Sequence, residues 1–70
     1  MDTLTKKFGR RVRELRTLQA LNQEQFADLA KIDRGHMGHI ERGTKSASLD
    51  KVEQIAEALN TPEASLFLDL

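Results

Sequence analysis

The sequence predicts an all-α fold of five short helices around one core. Its 70 residues have room for a single small domain. Apolar residues recur at helical spacing, and no stretch alternates apolar and polar residues for long enough to form a strand. A capping residue precedes each helical segment after the first. These signals place helices at residues 4–19, 23–30, 34–42, 49–59 and 62–68, in one domain spanning residues 1–70.

The first predicted helix is amphipathic and strongly basic. Phe8, Val12 and Leu15 are spaced i, i+4, i+7, which predicts a core-facing stripe. The basic residues form either a solvated face or an electrostatic support beside a polyanion, and the sequence leaves both interpretations open. They are Lys6, Lys7, Arg10, Arg11 and Arg13.

The second predicted helix, QEQFADLA, begins after Asn22. The side-chain oxygen of Asn22 can accept a hydrogen bond from a free backbone N–H group of the first turn, so this residue is the expected N-cap. Phe26, Leu29 and Ala30 are spaced to face the core. Lys31 and the residue after it interrupt the pattern, which predicts a short turn.

The third predicted helix, RGHMGHIER, has Asp33 as its N-cap and Gly43 as its left-handed end. Met37 and Ile40 are spaced i, i+3 and are expected to point inward. The residues expected on the outward face are Arg34, Gly35, Gly38 and His39.

The fourth predicted helix, LDKVEQIAEAL, follows the N-cap Ser48 and ends at Asn60, which tolerates the left-handed conformation. Thr61 and Pro62 then have the order of an N-cap and a first helical residue, which predicts a last short helix over EASLF. The apolar residues of the fourth helix keep helical spacing and are Leu49, Val52, Ile55, Ala56 and Leu59.

Composition narrows the class of protein. Without cysteine, the chain has neither a disulfide nor a thiolate metal site. No apolar run approaches the roughly 20 residues of a membrane helix, and the N-terminus lacks the apolar stretch of a signal peptide. We therefore expect an unprocessed cytoplasmic protein that has no membrane partner.

The formal net charge is zero, but the charge is unevenly distributed along the chain. Residues 1–45 hold ten bases against six acids, whereas residues 46–70 hold one base against five acids. Balances of +4 and −4 indicate one face for a polyanion and another kept away from it. Surface charges scattered by chance would produce the same gradient, so the gradient alone does not decide.

The second and third helices have the proportions of a helix-turn-helix unit, since the first is about eight residues long and the turn is short. The second helix of such a unit must be slim and polar on one face to enter a DNA major groove about 12 Å wide. RGHMGHIER has that division of residues. We interpret it as a base-reading helix.

The run LNQEQFADLAKIDRGHMGHIERG resembles the helix-turn-helix of Cro and lambda-repressor-like regulators, also called the xenobiotic-response-element family. The continuation SLDKVEQIAEALNTPEASLF is similar to that family's fourth and fifth helices. In size and plan the chain also resembles the small controller proteins of restriction-modification systems. The resemblance implies a five-helix DNA-binding domain and a sequence-specific regulator of transcription that binds double-stranded DNA.

The resemblance also implies roles for particular residues of this chain. Arg16 and Glu41 match a partly buried salt bridge between the first and third helices. The positions that match base-reading residues are Asp33, Arg34, Gly35, Gly38 and His39, with N-capping the favoured role of Asp33. The positions that match phosphate-binding residues are Asn22, Gln23, Arg42, Thr44 and Lys45.

The chain departs from the family's pattern at several turns and in its reading helix. Ala20 and Lys31 stand where the family often has glycine, so positive φ there would cost about 1 kcal/mol or more each. Gly35 and Gly38 are poor helix formers, at about 1 kcal/mol each relative to alanine. Their missing side chains place direct base readout on Arg34 and His39.

Other chemistry has little support in the sequence. His36 and His39 are spaced i, i+3, and with Glu41 they suggest a metal site, but a third ligand would have to come from elsewhere. We therefore expect His36 to be partly packed and His39 to face solvent or DNA. The sequence contains no nucleophile beside an orienting base and no phosphate-binding glycine loop, so we expect no enzyme activity, cofactor or small-molecule ligand.

A homodimer is expected because one short helix gives too little specificity, and two subunits related by a two-fold axis contact half-sites about 34 Å apart in an inverted repeat. The core accounts for Leu66 and for part of Phe67. Phe67, Leu68 and Leu70 are the candidate interface residues. The alternative is an antitoxin-like interaction module with weak or no DNA binding, which the zero net charge and the two glycines favour.

Overall fold

The computed structural model describes residues 2–70 and contains no strand within them. The all-α prediction is confirmed, but the fifth helical segment is a short 3-10 helix and not an α-helix. No helix in this range is long and apolar enough to cross a membrane. The elements are α1 (Leu4–Leu18), α2 (Gln23–Ala30), α3 (Arg34–Arg42), α4 (Leu49–Leu59) and the 3-10 helix Glu63–Phe67.

Side chains cap the start of all four α-helices. The Asn22 side chain accepts from the Gln25 backbone N–H, and the Gln25 side chain accepts in return from the Asn22 backbone N–H, which completes a capping box. Asp33 and Ser48 cap α3 and α4 as predicted. The sequence analysis did not identify Thr3, which caps α1.

The predicted N-cap of the last helix is wrong. The backbone N–H of Thr61 donates to the carbonyl of Ala56, so Thr61 belongs to the closing turn of α4. Its hydroxyl oxygen is buried without a hydrogen-bond partner, and Pro62 occupies the capping position without a side-chain bond. An uncapped segment of five residues forms the tighter 3-10 turn.

Residues with positive φ angles lie at the ends of helices and in the turns between them. Gly43 closes α3 at φ 74°, and Asn60 closes α4 at φ 53° as expected. Ala20 and Lys31 have φ values of 59° and 58°, so the turns keep the left-handed conformation without glycine. Each of these two residues therefore costs about 1 kcal/mol relative to a right-handed conformation.

The core lies among all five elements. Two residues that were predicted to face the core are exposed instead. Leu29 is 57% exposed because the inward arc of α2 lies at Phe26, Ala27 and Ala30. Leu49 is 84% exposed because the first turn of α4 extends past the core. The buried apolar residues are Phe8, Val12, Phe26, Ala27, Ala30, Ile32, Met37, Ile40, Val52, Ile55, Ala56, Leu59 and Leu66.

Gly9 allows α1 to pack directly against the backbone of α3. A Cβ atom at this position would overlap the carbonyl oxygen of Ile40 and lie 2.7 Å from that of Glu41. The two helices therefore approach more closely than any side chain would permit. This close approach fixes the position of α3, whose Met37 and Ile40 side chains are fully buried in the core.

Candidate nucleic-acid interface

Arg16 and Glu41 form a buried, two-pronged ion pair between α1 and α3. Arg16 Nε donates to Glu41 Oε2 at 2.8 Å, and Arg16 Nη2 donates to Oε1 at 3.0 Å. The remaining guanidinium nitrogen, Nη1, donates to the carbonyl of Leu21 at 2.9 Å, so the charge is hydrogen-bonded on both sides. Two parallel bonds of this kind fix orientation as well as distance. The pair therefore sets the position of α3 relative to α1.

Gln23 extends this network to the start of α2. Its Nε2 donates to Glu41 Oε1 at 3.3 Å. Gly38 lies beneath the same side chain, since a Cβ there would be 3.4 Å from Gln23 Oε1 and 3.0 Å from Arg42 Nη1. Gly38 is buried and does not lie on the outward face predicted from helical spacing. Its role in the structure is to leave room for the Gln23 and Arg42 side chains.

A cleft of about 270 Å³ opens beside this network. Glu41 is compensated by Arg16, so Arg13 and Arg42 leave the cleft with excess positive charge. Its dimensions and charge suit a phosphate group. Its lining residues are Arg13, Arg16, Gln23, Glu41 and Arg42.

The sequence analysis did not identify Arg13 as a member of this site. The signal was present, because Arg13 precedes Arg16 by three residues and so lies on the neighbouring turn of α1. Arg13 is exposed and lines the cleft, so the solvated and the electrostatic interpretations of the basic first helix both stay open. Asn22 and Lys45 lie exposed at the start of α2 and in the loop after α3, while the Asn22 side-chain oxygen is occupied by the capping box.

The exposed start of α3 holds Arg34 and Gly35. Arg34 Nη1 lies 3.7 Å from Glu24 Oε2, and both side chains are about two-thirds exposed, so this ion pair contributes little to stability. The carboxylate of Asp33 accepts from the His36 backbone N–H, which gives Asp33 the capping role favoured over base readout. Arg34 is therefore the long cationic side chain at the reading end of α3.

His39 lies one turn further along α3 and contacts the following loop. Its Nδ1 is 2.7 Å from the hydroxyl oxygen of Thr44, which also donates to the His39 carbonyl at 3.3 Å. Partial desolvation, followed by the charges of Lys45, Arg42 and His36, lowers the pKa of His39. The lowered pKa favours the neutral imidazole at neutral pH. Within residues 2–70, no three His, Cys, Asp or Glu side chains come together as a metal site.

Residues 7–66 match the family described as "Helix-turn-helix domain", and this chain belongs to that family. Among its relatives, the control protein C.BamHI of Bacillus amyloliquefaciens is 37% identical over 60 residues, covering 84% of this chain and 74% of the relative. Control protein C.MunI of a Mycoplasma species is 32% identical over 71 residues, covering 100% of this chain and 96% of the relative.

Comparison of structures leads to the same class of protein. The restriction-modification controller protein C.AhdI from Aeromonas hydrophila superposes with a TM-score of 0.88 and is 43% identical. The match covers 90% of this chain and 96% of that protein. The resemblance to small helix-turn-helix regulators inferred from the sequence is confirmed.

Proposed function

We propose that this chain is a sequence-specific regulator of transcription that binds an inverted repeat in double-stranded DNA as a homodimer. The observation that supports this most directly is the division of α3. Met37 and Ile40 anchor it in the core, while Arg34 and His39 project from the other side. The controller-protein relatives support a role in controlling a restriction-modification system. Because bacterial DNA lies in the cytoplasm, we expect the protein to act there.

Arg34 is the main base-reading residue in this proposal. A guanidinium group can bond to O6 and N7 of guanine together, which discriminates against other bases by about 1–3 kcal/mol. The exposed contact with Glu24 is weak enough to be exchanged for this one. Gly35, beside Arg34, lets the backbone of α3 approach the base pairs.

Phosphate binding is assigned to the cleft and to the loop after α3. Gln23 and Arg42 line the cleft together with Arg13, and Lys45 extends the positive charge beyond it. Such contacts position the protein on the duplex without specifying its sequence. Asn22 is a further phosphate contact through its amide nitrogen, because its oxygen is occupied by Gln25.

Paired substitutions separate the two roles. A random duplex library first supplies the preferred sequence, and binding is then measured on that duplex and on a scrambled one over a range of salt concentrations. Arg34→Ala is expected to weaken binding to the preferred duplex by about 1–3 kcal/mol and to relax selection at one base position. Lys45→Ala is expected to weaken binding to both duplexes alike and to reduce the salt slope by about 1.

Equal losses for Arg34→Ala on both duplexes would contradict its assignment as a base-reading residue. Wild-type affinity should itself fall steeply with salt, because phosphate neutralisation releases counterions. Absence of binding to any duplex at low salt would instead favour the interaction-module hypothesis.

The proposed dimer interface is an apolar groove formed by the start of α1, the start of α4 and the 3-10 helix. It has a volume of about 270 Å³ and includes Leu4, Leu49 and Phe67, all of them more than 40% exposed. Ser46 and Ala47 from the loop after α3 also line the groove, and an exposed apolar surface of this kind suits a self-complementary two-fold contact. A second copy of the chain is therefore the proposed occupant.

Intramolecular contacts already engage two of the three predicted interface residues. Leu70 packs against the core of its own domain, and Phe67 stacks on Phe8 with ring centroids 5.1 Å apart. These intramolecular contacts account for Leu70 and for one face of Phe67. Leu68 is 57% exposed and stays a candidate interface residue, although it does not line the groove.

Leu49→Glu tests the groove with little risk to the monomer. The position is the first residue of α4, where a negative charge interacts favourably with the helix dipole. In the dimer, the two-fold axis would bring both carboxylates to one apolar interface, so we expect monomers by sedimentation velocity. Leu18→Glu is the control, because Leu18 is an exposed leucine outside the groove. A dimer that persists in Leu49→Glu would contradict the assignment of the groove.

A further inference from the structure

Gly38 is buried although it has no side chain, because the side chains of two other residues cover it. A Cβ atom at position 38 would lie 3.0 Å from Arg42 Nη1, 3.6 Å from Arg42 Cζ and 3.4 Å from Gln23 Oε1. Arg42 follows Gly38 by four residues, and helical side chains lean toward the helix N-terminus, so the Arg42 side chain extends over position 38. Its guanidinium group therefore borders the space that a side chain at position 38 would fill.

The Gln23 amide is oriented to suit a cation at this place. The Glu41 carboxylate, paired with Arg16, can only accept hydrogen bonds, so it is the Gln23 Nε2 amine that faces it at 3.3 Å. The amide oxygen Oε1 then lies on the side of Gly38 and Arg42, where its partial negative charge favours the guanidinium group. Within residues 2–70, Arg42 has no acidic partner at ion-pair distance. Its charge is therefore free to bind an external anion.

We propose that Gly38 is a positioning residue that lets Arg42 reach back along α3 into the cleft, where the guanidinium group binds a DNA phosphate beside Gln23. The inference rests on the proposed function and deepens it, because it explains how the last residue of α3 takes part in a cleft that begins at α2. A side chain at position 38 would compete with the guanidinium group for the same space. Gly38 thus contributes to DNA binding without contacting DNA.

The first test uses the free protein and measures where the Arg42 side chain lies. In NMR spectra of the wild type, we expect nuclear Overhauser contacts between the α-hydrogens of Gly38 and the guanidinium hydrogens of Arg42. Arg42→Ala is the control for the assignment of these signals, since it must lack them. A wild-type spectrum without these contacts would overturn the proposal, because the guanidinium group would then lie away from Gly38.

The second test measures affinity against salt concentration on the preferred duplex and on a scrambled one. Arg42→Ala is expected to weaken binding to both duplexes by roughly 3- to 10-fold and to reduce the salt slope by about 1, as for the loss of one phosphate contact. Gly38→Val, with two methyl groups beside the guanidinium, should reproduce this loss, and Gly38→Ala should show a smaller one. Alanine is the better helix former, so the weaker binding of Gly38→Ala should come without a lower Tm.

A double-variant cycle determines whether Gly38 acts through Arg42. In the Arg42→Ala background, Gly38→Val is expected to cause no further loss of DNA affinity, because the guanidinium group that it displaces is already absent. Equal losses from Gly38→Val in both backgrounds, or a loss on the preferred duplex alone, would overturn the proposal. Absence of binding by the wild type to any duplex would refute the proposed function, whereas the NMR contacts would still establish whether Arg42 lies over Gly38.

Discussion

Replacing Arg16 with methionine is expected to lower the free energy of unfolding by about 3–5 kcal/mol. Methionine keeps most of the buried volume, so the main loss comes from Glu41, whose carboxyl group would lose its ion-pair partner in a site where its side chain is only 3% exposed. Removal of one partner from a buried pair leaves the other group uncompensated. A domain of this size has a total stability of roughly 5 kcal/mol, so urea denaturation should detect a largely unfolded population at low denaturant.

The double variant Arg16→Met with Glu41→Met is the matched control. It leaves no uncompensated charge, and replacement of a complete buried pair by apolar side chains is often neutral or stabilising. We therefore expect the double variant to recover more than half of the loss. If the stability loss of the double variant equalled the sum of the losses of the two single variants, the two charges would not be coupled. Gln23 would lose its hydrogen bond to Glu41 in the double variant. We therefore expect the folded double variant to bind DNA more weakly than the folded wild type.

Local signals allowed much of the fold to be predicted. The caps at Asn22, Asp33 and Ser48 depend on a side chain and a backbone N–H group three residues away, so a short stretch of sequence contains the whole interaction. The left-handed ends at Gly43 and Asn60 are local in the same sense. The division of α3 into a buried and an exposed side followed from its helical period.

The errors arose where the packing of one element on another decides the outcome. Periodicity within α2 suggested Leu29 as a core residue, but α2 packs with Phe26, Ala27 and Ala30 inward, which leaves Leu29 exposed. Helical spacing placed Gly38 outward, whereas the side chain of Gln23 from α2 covers it. Thr61 was assigned to the helix after it because the sequence does not show that its N–H group closes α4.

Individual residues of the candidate site could be proposed from the sequence, but the contacts between them could not. Helical spacing placed Arg34 and His39 on the outward face of α3, and the resemblance to a known family predicted base reading for both. The cleft that joins Arg13 to Gln23 depends on how α1 crosses α2 and α3, and no short stretch of sequence contains that information. The bond between His39 and Thr44 likewise depends on the path of the loop after Gly43.

Gly9→Ala is expected to destabilise the domain by about 2 kcal/mol, even though alanine is the better helix former. The gain in helix propensity is about 1 kcal/mol, whereas insertion of a methyl group into close-packed structure costs about 1–3 kcal/mol and sometimes more. The upper end applies here, because the obstacles are the carbonyl oxygens of Ile40 and Glu41, which no side-chain rotation can move. A lowering of Tm by roughly 10 °C is the expected measurement for a domain of this size.

Gly35→Ala is the matched control for this prediction, because Gly35 is also a helical glycine but is exposed. The nearest atom to a Cβ at position 35 is the carboxylate oxygen Oδ2 of Asp33 at 3.1 Å, which also accepts the capping bond from the His36 N–H, so a small shift of this side chain offsets part of the gain in helix propensity. We therefore expect Gly35→Ala to leave stability unchanged or to raise it by up to about 1 kcal/mol. Equal Tm values for the two variants would show that α1 and α3 tolerate a wider separation. That separation also sets the Arg16–Glu41 geometry. A loss of stability confined to Gly9→Ala would therefore show that the close contact between α1 and α3 holds α3 in position.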